Sequence, residues 1–215
     1  MLLLKKETQN LITMKIEFTE SQNQFRSEIR DWFSKNVPSK PLASFDTKEG
    51  FEEHREWEKT LNQGNWSMVT WPTEYGGRAL NLIEWLIFEE EYYRANAPAR
   101  VNQNGVFLLG PTLMEYGTDD QKSKFLSAMA EGDHIWSQGW SEPNAGSDMA
   151  AIRATAVRNN DTFIINGQKT WSSRAAFADW TFGLFRSDPE SERHRGLSFI
   201  LVPLDQKGVT VRPIP

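Results

Sequence analysis

The residues best suited to chemistry form one string, from Trp136 to Asp148, called the first patch below. It is typical of a strand that breaks at Glu142-Pro143 into a loop of small residues. Such a loop presents hydroxyls, an amide and backbone N–H groups beside two indoles, and these groups could hold a planar ring rich in heteroatoms. A strand followed by an ordinary turn, with Asp148 capping the next element, explains the string equally well.

A second patch runs from Asn166 to Arg174. Asn166-Gly167 predicts a tight hairpin because both residues accept positive φ, and the following strand would deliver Trp171 and two serine hydroxyls to one place. The patch is either a stacking wall with hydrogen-bond donors or a surface hairpin with a packed indole. Nine tryptophans in 215 residues are more than packing usually requires, although core packing remains the default interpretation for most of them.

Composition narrows the classes of function. Lysine and arginine number 24 against 29 acidic residues, so the net charge of -5 offers no basic field to nucleic acid or anionic lipid. The chain has no cysteine, which excludes disulfides, thiolate metal sites and a cysteine nucleophile, and its three scattered histidines do not favour a metal site. No apolar run reaches membrane-spanning length and the first residues do not form a secretory signal. We therefore predict a cytoplasmic protein that binds neither membrane nor nucleic acid.

The spacing of apolar residues predicts that the first half is helical. Two expected helices begin at capping-box patterns, one after Thr19 that stops at Pro38 and one after Thr118 that runs through Glu131. Three further helices are expected at about 50–63, 82–93 and 102–116. Pro111 lies near a start or a kink of the helix over 102–116. Apolar residues on almost every side of the 82–93 segment predict that this helix is buried among other helices.

After Gly132 the pattern changes to short segments typical of strands. These segments are 135–140, 152–157, 162–165, 168–171, 180–185, 197–202 and 209–211. A run of helices followed by a run of strands predicts an α+β fold with separate helical and strand domains, divided near residue 133.

The motifs that carry a family resemblance include both patches. Ser141-Glu142-Pro143-Asn144-Ala145-Gly146-Ser147-Asp148 resembles the signature of the FAD-dependent acyl-CoA dehydrogenase family, and the spacing to Asn166–Trp171 resembles that family's second flavin-contacting strand. Supporting resemblances lie at 71–77, 88–91, 110–113 and 178–180. They follow the order of the family from about Met14 onward.

The resemblance implies a particular domain organisation. An amino-terminal extension over 1–18 would precede an all-helical domain over 19–132 and an incomplete, antiparallel, barrel-like β domain over 133–215. It also implies that the family's carboxy-terminal helical bundle is absent from this chain, and with it the acidic residue that serves as the catalytic base. We therefore assign no catalytic residue, and interpret Glu142 as a carboxylate that binds backbone donors of its loop.

By the same resemblance, the reaction is the α,β-dehydrogenation of an acyl-CoA thioester with hydride transfer to FAD. Ser141 would bond the polar edge of the isoalloxazine, and Ser147 would also contact the substrate. No metal is expected. The implied cofactor-binding residues are Gln138, Gly139, Trp140, Ser141, Gly146, Ser147, Trp171, Ser172 and Ser173.

Three possibilities remain open for the chain itself. It is a truncated dehydrogenase that is inactive alone, or an enzyme whose carboxy-terminal half is a separate polypeptide. The third possibility is a non-catalytic module that keeps the surface for CoA or flavin, or only the helical interface. The expected partners are an acyl-CoA substrate, electron-transfer flavoprotein as electron acceptor, and other subunits of a homo- or hetero-oligomer. Acyl-CoA oxidases share much of this half, so the electron acceptor stays open, as does the acyl chain.

Overall fold

The computed structural model describes residues 17–214, so most of the expected amino-terminal extension, 1–18, lies outside the described residues. Within them, the α-helices are α1 Glu20–Asn36, α2 Lys48–Gln63, α3 Leu82–Arg94, α4 Gly110–Tyr116 and α5 Asp119–Ala130. The strands that follow are β1 Trp136–Gly139, β2 Thr155–Asn159, β3 Thr162–Asn166, β4 Trp180–Arg186 and β5 Leu197–Pro203. The predicted α+β fold, with helices before strands, is confirmed.

Side chains at the helix starts explain where the helices begin. Thr19 and Thr118 accept hydrogen bonds from the third helical N–H group, as their capping-box patterns predict, and Asn81 does the same for α3. Segment 104–109, predicted as part of one helix, is a π-helix that runs directly into α4. Pro111 lies in the first turn of α4, directly after the π-helix.

Two apolar clusters organise the helical half. Helices α1, α2 and α3 pack around residues that include Phe33 and Trp66. The π-helix, α4 and α5 pack around a second cluster that includes Trp71 and continues into the sheet through Trp136 of β1 and Phe182 of β4. Because this cluster contains residues of both halves, the helices support the sheet directly.

The sheet is mixed, which corrects the expectation of an antiparallel domain. Strand β4 pairs antiparallel with β5 along its whole length, but it pairs in parallel with β1 and, at Thr155 and Arg186, with β2. Strands β2 and β3 form an antiparallel hairpin. Parallel neighbours need long crossover connections, and the apolar pattern of a strand does not encode the direction of its neighbour.

The hairpin predicted at Asn166-Gly167 is not formed. The turn lies instead at Asn160-Asp161, where Asn160 takes up the left-handed conformation with φ 54°. Gly167 has φ 154° and carries the chain away from the sheet, close to Ala154, where any Cβ atom would overlap that residue. Two further segments predicted as strands form none in the structure, namely 168–171 and 209–211.

Helix α3 buries one face only. Ile87 and Phe88 are buried, whereas Leu82 and Tyr93 are 72% and 73% exposed, so the prediction of burial on every side is wrong for the outer face. An apolar face of this kind is typical of a surface that another element covers. Among residues 17–214, no helix combines the length and the apolar character needed to cross a bilayer.

Candidate functional site

The two patches lie side by side at the carboxyl end of β1. The Thr170 N–H group donates to the Ser141 carbonyl over 2.9 Å, and Lys169 Nζ donates to the Trp140 carbonyl over 3.2 Å. Residues about 30 positions apart in the chain therefore share one surface. Strand β1 positions the first patch, and the segment that leaves the sheet at Gly167 positions the second.

Glu142 and Lys169 form a buried ion pair that joins the patches. Lys169 Nζ donates to Glu142 Oε1 over 2.9 Å and to the Leu184 carbonyl over 2.6 Å. The Glu142 carboxylate also accepts the N–H groups of Arg153 and Ala154 over 2.8 and 2.9 Å. Both carboxylate oxygens are thus engaged, which agrees with the structural role expected for Glu142.

The surroundings of this pair shift the pKa of both members. Burial by itself raises the pKa of Glu142, but the N–H groups of Arg153 and Ala154 and the Lys169 ammonium hold it below its ordinary value of 4.5. Burial lowers the pKa of Lys169 from 10.5, and the Glu142 carboxylate offsets this only in part. The fold therefore favours the ionised form of the Glu142 carboxyl group.

We expect this carboxylate to make the stability of the chain sensitive to acid. Because the pKa of Glu142 is lower in the folded state, its contribution is fully present above its ordinary value of 4.5 and is lost as the pH falls through the folded pKa. In urea unfolding from about pH 7 to about pH 3, the difference in unfolding free energy between the chain and Glu142→Gln should shrink. A difference that stays constant over this range would contradict the prediction.

Trp140 and Trp171 are the exposed indoles of the chain. All nine tryptophans lie within residues 17–214, and only these two are exposed, by 36% and 73%. Trp171 takes up the left-handed conformation with φ 57°, which is unfavourable for a bulky residue, and Arg174 does so with φ 73°. Such strain persists only where neighbouring groups impose it, and it concentrates at functional sites. The indoles offer a flat ligand a surface on which to stack.

The other predicted residues near the junction are Gln138 and Gly139 in β1 and Ser172 and Ser173 after Trp171. Gly139 is buried, whereas Gln138 and Ser172 are half-buried and Ser173 is exposed. Asn104 of the π-helix donates to the Ser173 carbonyl over 3.4 Å, so the second patch also contacts the helical half.

Gly146 and Ser147 lie apart from the junction. Both are exposed and follow the short bridge between Glu142 and Ala145. Within the part of the chain that the structure describes, no hydrogen bond joins them to residues 171–173, and their N–H groups donate to no other backbone group. A Cβ atom added at Gly146 would meet nothing within 4 Å, so a ligand could approach this backbone closely.

Two organising residues were not among the predicted cofactor-binding residues. One is Lys169, described above, and the other is Arg186, the last residue of β4. The Arg186 guanidinium donates to the carbonyl groups of Ile152, Arg193 and Ala150 over 3.2, 3.1 and 2.9 Å, which joins the turn at 149–151 to the turn at 193–196. The sequence signal for Arg186 was its position at the end of an apolar strand, because a charged residue that is buried there is usually paired.

Comparison with known protein families covers both halves of the chain. A model of the acyl-CoA dehydrogenase N-terminal domain matches residues 19–133, and a model of the acyl-CoA dehydrogenase middle domain matches residues 137–215. Acyl-CoA dehydrogenase IpdE1 from Mycolicibacterium smegmatis is 44% identical over 207 residues, which cover 89% of this chain and 53% of the relative. The chain spans about half the length of the curated relatives it matches.

Two solved structures are similar over nearly the whole chain. The Tcur3481-Tcur3483 steroid ACAD is 34% identical with a TM-score of 0.77, covering 91% of this chain and 50% of that one. The ChsE4-ChsE5 complex from Mycobacterium tuberculosis is 36% identical with a TM-score of 0.73, covering 91% and 49%. The second structure is described as a complex of two proteins.

Proposed function

The chain belongs to the acyl-CoA dehydrogenase family, and from this premise we propose that it forms part of a site for the α,β-dehydrogenation of an acyl-CoA thioester. The observation that carries the proposal is the junction of the two patches, where Trp140 and Trp171 lie exposed beside the loop that Glu142 and Lys169 hold. Bound FAD would supply the hydride acceptor. The residues of this chain would bind the cofactor and the substrate and orient them relative to each other.

The donor set at the junction fits FAD. An isoalloxazine ring is flat and carries heteroatoms along one edge, so it needs both a stacking surface and hydrogen-bond donors. Trp171 offers the surface, and the hydroxyls and N–H groups of 138–141 and 171–173 offer the donors. We propose that these two segments flank the ring and that Gly146 and Ser147 contact the region where cofactor and substrate meet.

The same geometry limits what Glu142 can do. Its carboxylate accepts hydrogen bonds from two backbone N–H groups and from Lys169, so it lacks a free oxygen directed to a substrate. Its part in the proposed site is to hold the loop, while Trp140 and Trp171 keep water from the face of the ring. We assign removal of the substrate's α-proton to an acidic group outside residues 17–214.

A second candidate function is a non-catalytic subunit or CoA- and flavin-binding module that works with a separate carboxy-terminal polypeptide. The outer face of α3 favours it, because Leu82, Leu86 and Tyr93 expose apolar surface that another polypeptide could cover. The two-protein description of the ChsE4-ChsE5 relative is in keeping with it. In either case we propose electron-transfer flavoprotein as the electron acceptor.

Titration of the purified chain with FAD, followed by its visible spectrum, tests the proposed site. We expect Trp171→Leu to raise the Kd for FAD about 2- to 10-fold, because losing a stacked ring removes about 0.5–1.5 kcal/mol. Tyr116→Leu is the matched control, since Tyr116 is 82% exposed on α4, and it should leave the Kd unchanged. Equal affinities of the two variants would contradict the role of Trp171.

Addition of an acyl-CoA then separates the two candidates. Bleaching of the flavin band by the chain alone supports a dehydrogenase. If the chain binds FAD but the flavin band bleaches only after a second polypeptide is added, such as the carboxy-terminal half of IpdE1, the result supports the binding module. A chain that binds no FAD in either condition would overturn both.

A further inference from the structure

His54 of α2 is 5% exposed, and both of its ring nitrogens face carbonyl oxygens. Nδ1 lies 2.7 Å from the carbonyl oxygen of Ala99, and Nε2 lies 3.1 Å from that of Ala43. A carbonyl oxygen only accepts hydrogen bonds, whereas a neutral imidazole has a single N–H group to donate. In either neutral tautomer one ring N–H group donates to one of these carbonyls, so His54 contacts both the loop before α2 and the segment after α3.

The loop before α2 also contains Phe45, whose ring contacts both His54 and Arg174. Phe45 packs edge-on against the His54 ring, with centroids 5.5 Å apart and an interplanar angle of 84°. The guanidinium carbon of Arg174 lies 4.0 Å from the centroid of the Phe45 ring. A cation over an aromatic face is attracted by the ring quadrupole, so the second patch is attached here to the helical half.

Arg174 also closes the strained turn that presents Trp171. The Ser173 N–H group donates to the Trp171 carbonyl over 3.1 Å, and both Trp171 and Arg174 have positive φ, 57° and 73°. A left-handed backbone at a bulky residue needs to be held by contacts from outside the turn. The stack on Phe45 is such a contact, and it acts at the last residue of the turn.

We propose that Arg174, which stacks on the Phe45 ring that packs against buried His54, is a positioning residue for Trp171. For its ligand the inference rests on the proposed function, because Trp171 is the wall on which FAD would stack. The position of Trp171 itself can be measured with no ligand present.

Fluorine NMR of the full chain labelled with 5-fluorotryptophan tests this inference directly, with the Trp171 resonance assigned by Trp171→Phe. We expect Phe45→Leu and Arg174→Gln to shift or broaden that resonance. Phe45→Tyr keeps an aromatic face and should restore the parental signal. Arg158→Gln, which removes an exposed arginine of β2, should leave the signal in place. A Trp171 resonance that is unchanged in both Phe45→Leu and Arg174→Gln overturns the proposal.

FAD titrations on the same variants distinguish failure of the proposed function from failure of the positioning role of Arg174. Phe45→Leu should raise the Kd for FAD about 3- to 10-fold, in line with the loss of a partly desolvated cation–π contact, whereas Phe45→Tyr should not. If the chain binds no FAD while the Trp171 resonance still moves, the proposed function fails and the positioning role stands. If FAD binds and Trp171 stays in place in every variant, the positioning role fails.

Discussion

Replacing Glu58 with glutamine should lower the free energy of unfolding by about 3–5 kcal/mol. Glu58 is 2% exposed, and it accepts two hydrogen bonds from Arg100, over 2.9 and 2.7 Å, and the N–H groups of Val101 and Asn102. Glutamine retains one acceptor oxygen but leaves the buried Arg100 guanidinium without a counter-charge. Urea unfolding followed by tryptophan fluorescence measures the loss.

Glu56→Gln is the matched control on the same helix. The Glu56 side chain is 68% exposed and pairs with Lys59, so its loss should cost no more than about 0.5 kcal/mol. The double variant Glu58→Gln with Arg100→Met should recover most of the stability, because an apolar side chain removes the unpaired charge. A loss in Glu58→Gln no larger than that of Glu56→Gln would refute the importance of this pair.

The Glu58–Arg100 pair also reaches the base of the candidate site. Glu58 fixes the N–H group of Asn102, and the fully buried Asn102 side chain in turn binds three backbone groups. Its amide donates to the carbonyls of Met129 and His134 over 2.9 and 3.0 Å, and its oxygen accepts the N–H group of Trp136 over 3.0 Å. The start of β1 is thereby attached to the end of α5. We therefore expect Glu58→Gln to loosen β1 as well as the helices.

Replacing Glu142 with glutamine should lower the free energy of unfolding by about 2–4 kcal/mol. The Lys169 side chain is 14% exposed, and its ammonium would lose its only charged partner among the described residues. The expected loss is smaller than for Glu58, because Lys169 Nζ keeps its contacts with the carbonyls of Trp140 and Leu184. Urea unfolding at neutral pH measures this effect.

The same substitution should weaken FAD binding, because the ion pair holds the two patches against each other. Glu190→Gln is the control, since it removes an exposed carboxylate from the strand half and should change neither property. If Glu142→Gln destabilises the chain but binds FAD with the parental Kd, the ion pair supports the fold and not the site. If stability is also unchanged, the buried pair contributes nothing measurable.

Most of the helices could be predicted from the sequence because their signals are local. The capping boxes at Thr19 and Thr118 involve side chains and N–H groups only three residues apart, so tertiary contacts do not alter them. Burial of α3 was harder to predict, because an apolar stripe does not reveal whether a neighbour covers it. Leu82 and Tyr93 are exposed even though the pattern predicts that they are buried.

The second patch shows why its conformation could not be read from the residues. Asn166-Gly167 is able to form a hairpin turn, but the turn between β2 and β3 is formed by Asn160-Asp161. Gly167 is required for a different reason, its close approach to Ala154. Trp171 and Arg174 have positive φ, which no local signal predicts for bulky residues, because contacts from another part of the fold hold the turn.

By itself, the sequence determined the α+β class, the family and the two patches, because these depend on periodicity and on motifs short enough to be read locally. Only the tertiary structure decided that the patches meet through the Thr170–Ser141 hydrogen bond and the Glu142–Lys169 pair. It also decided that β4 has parallel neighbours and that only Trp140 and Trp171 of the nine tryptophans are exposed. These features arise from contacts between residues that are far apart in the chain. The free energies of such contacts depend on packing and on the burial of charge, which the local spacing of residues does not encode.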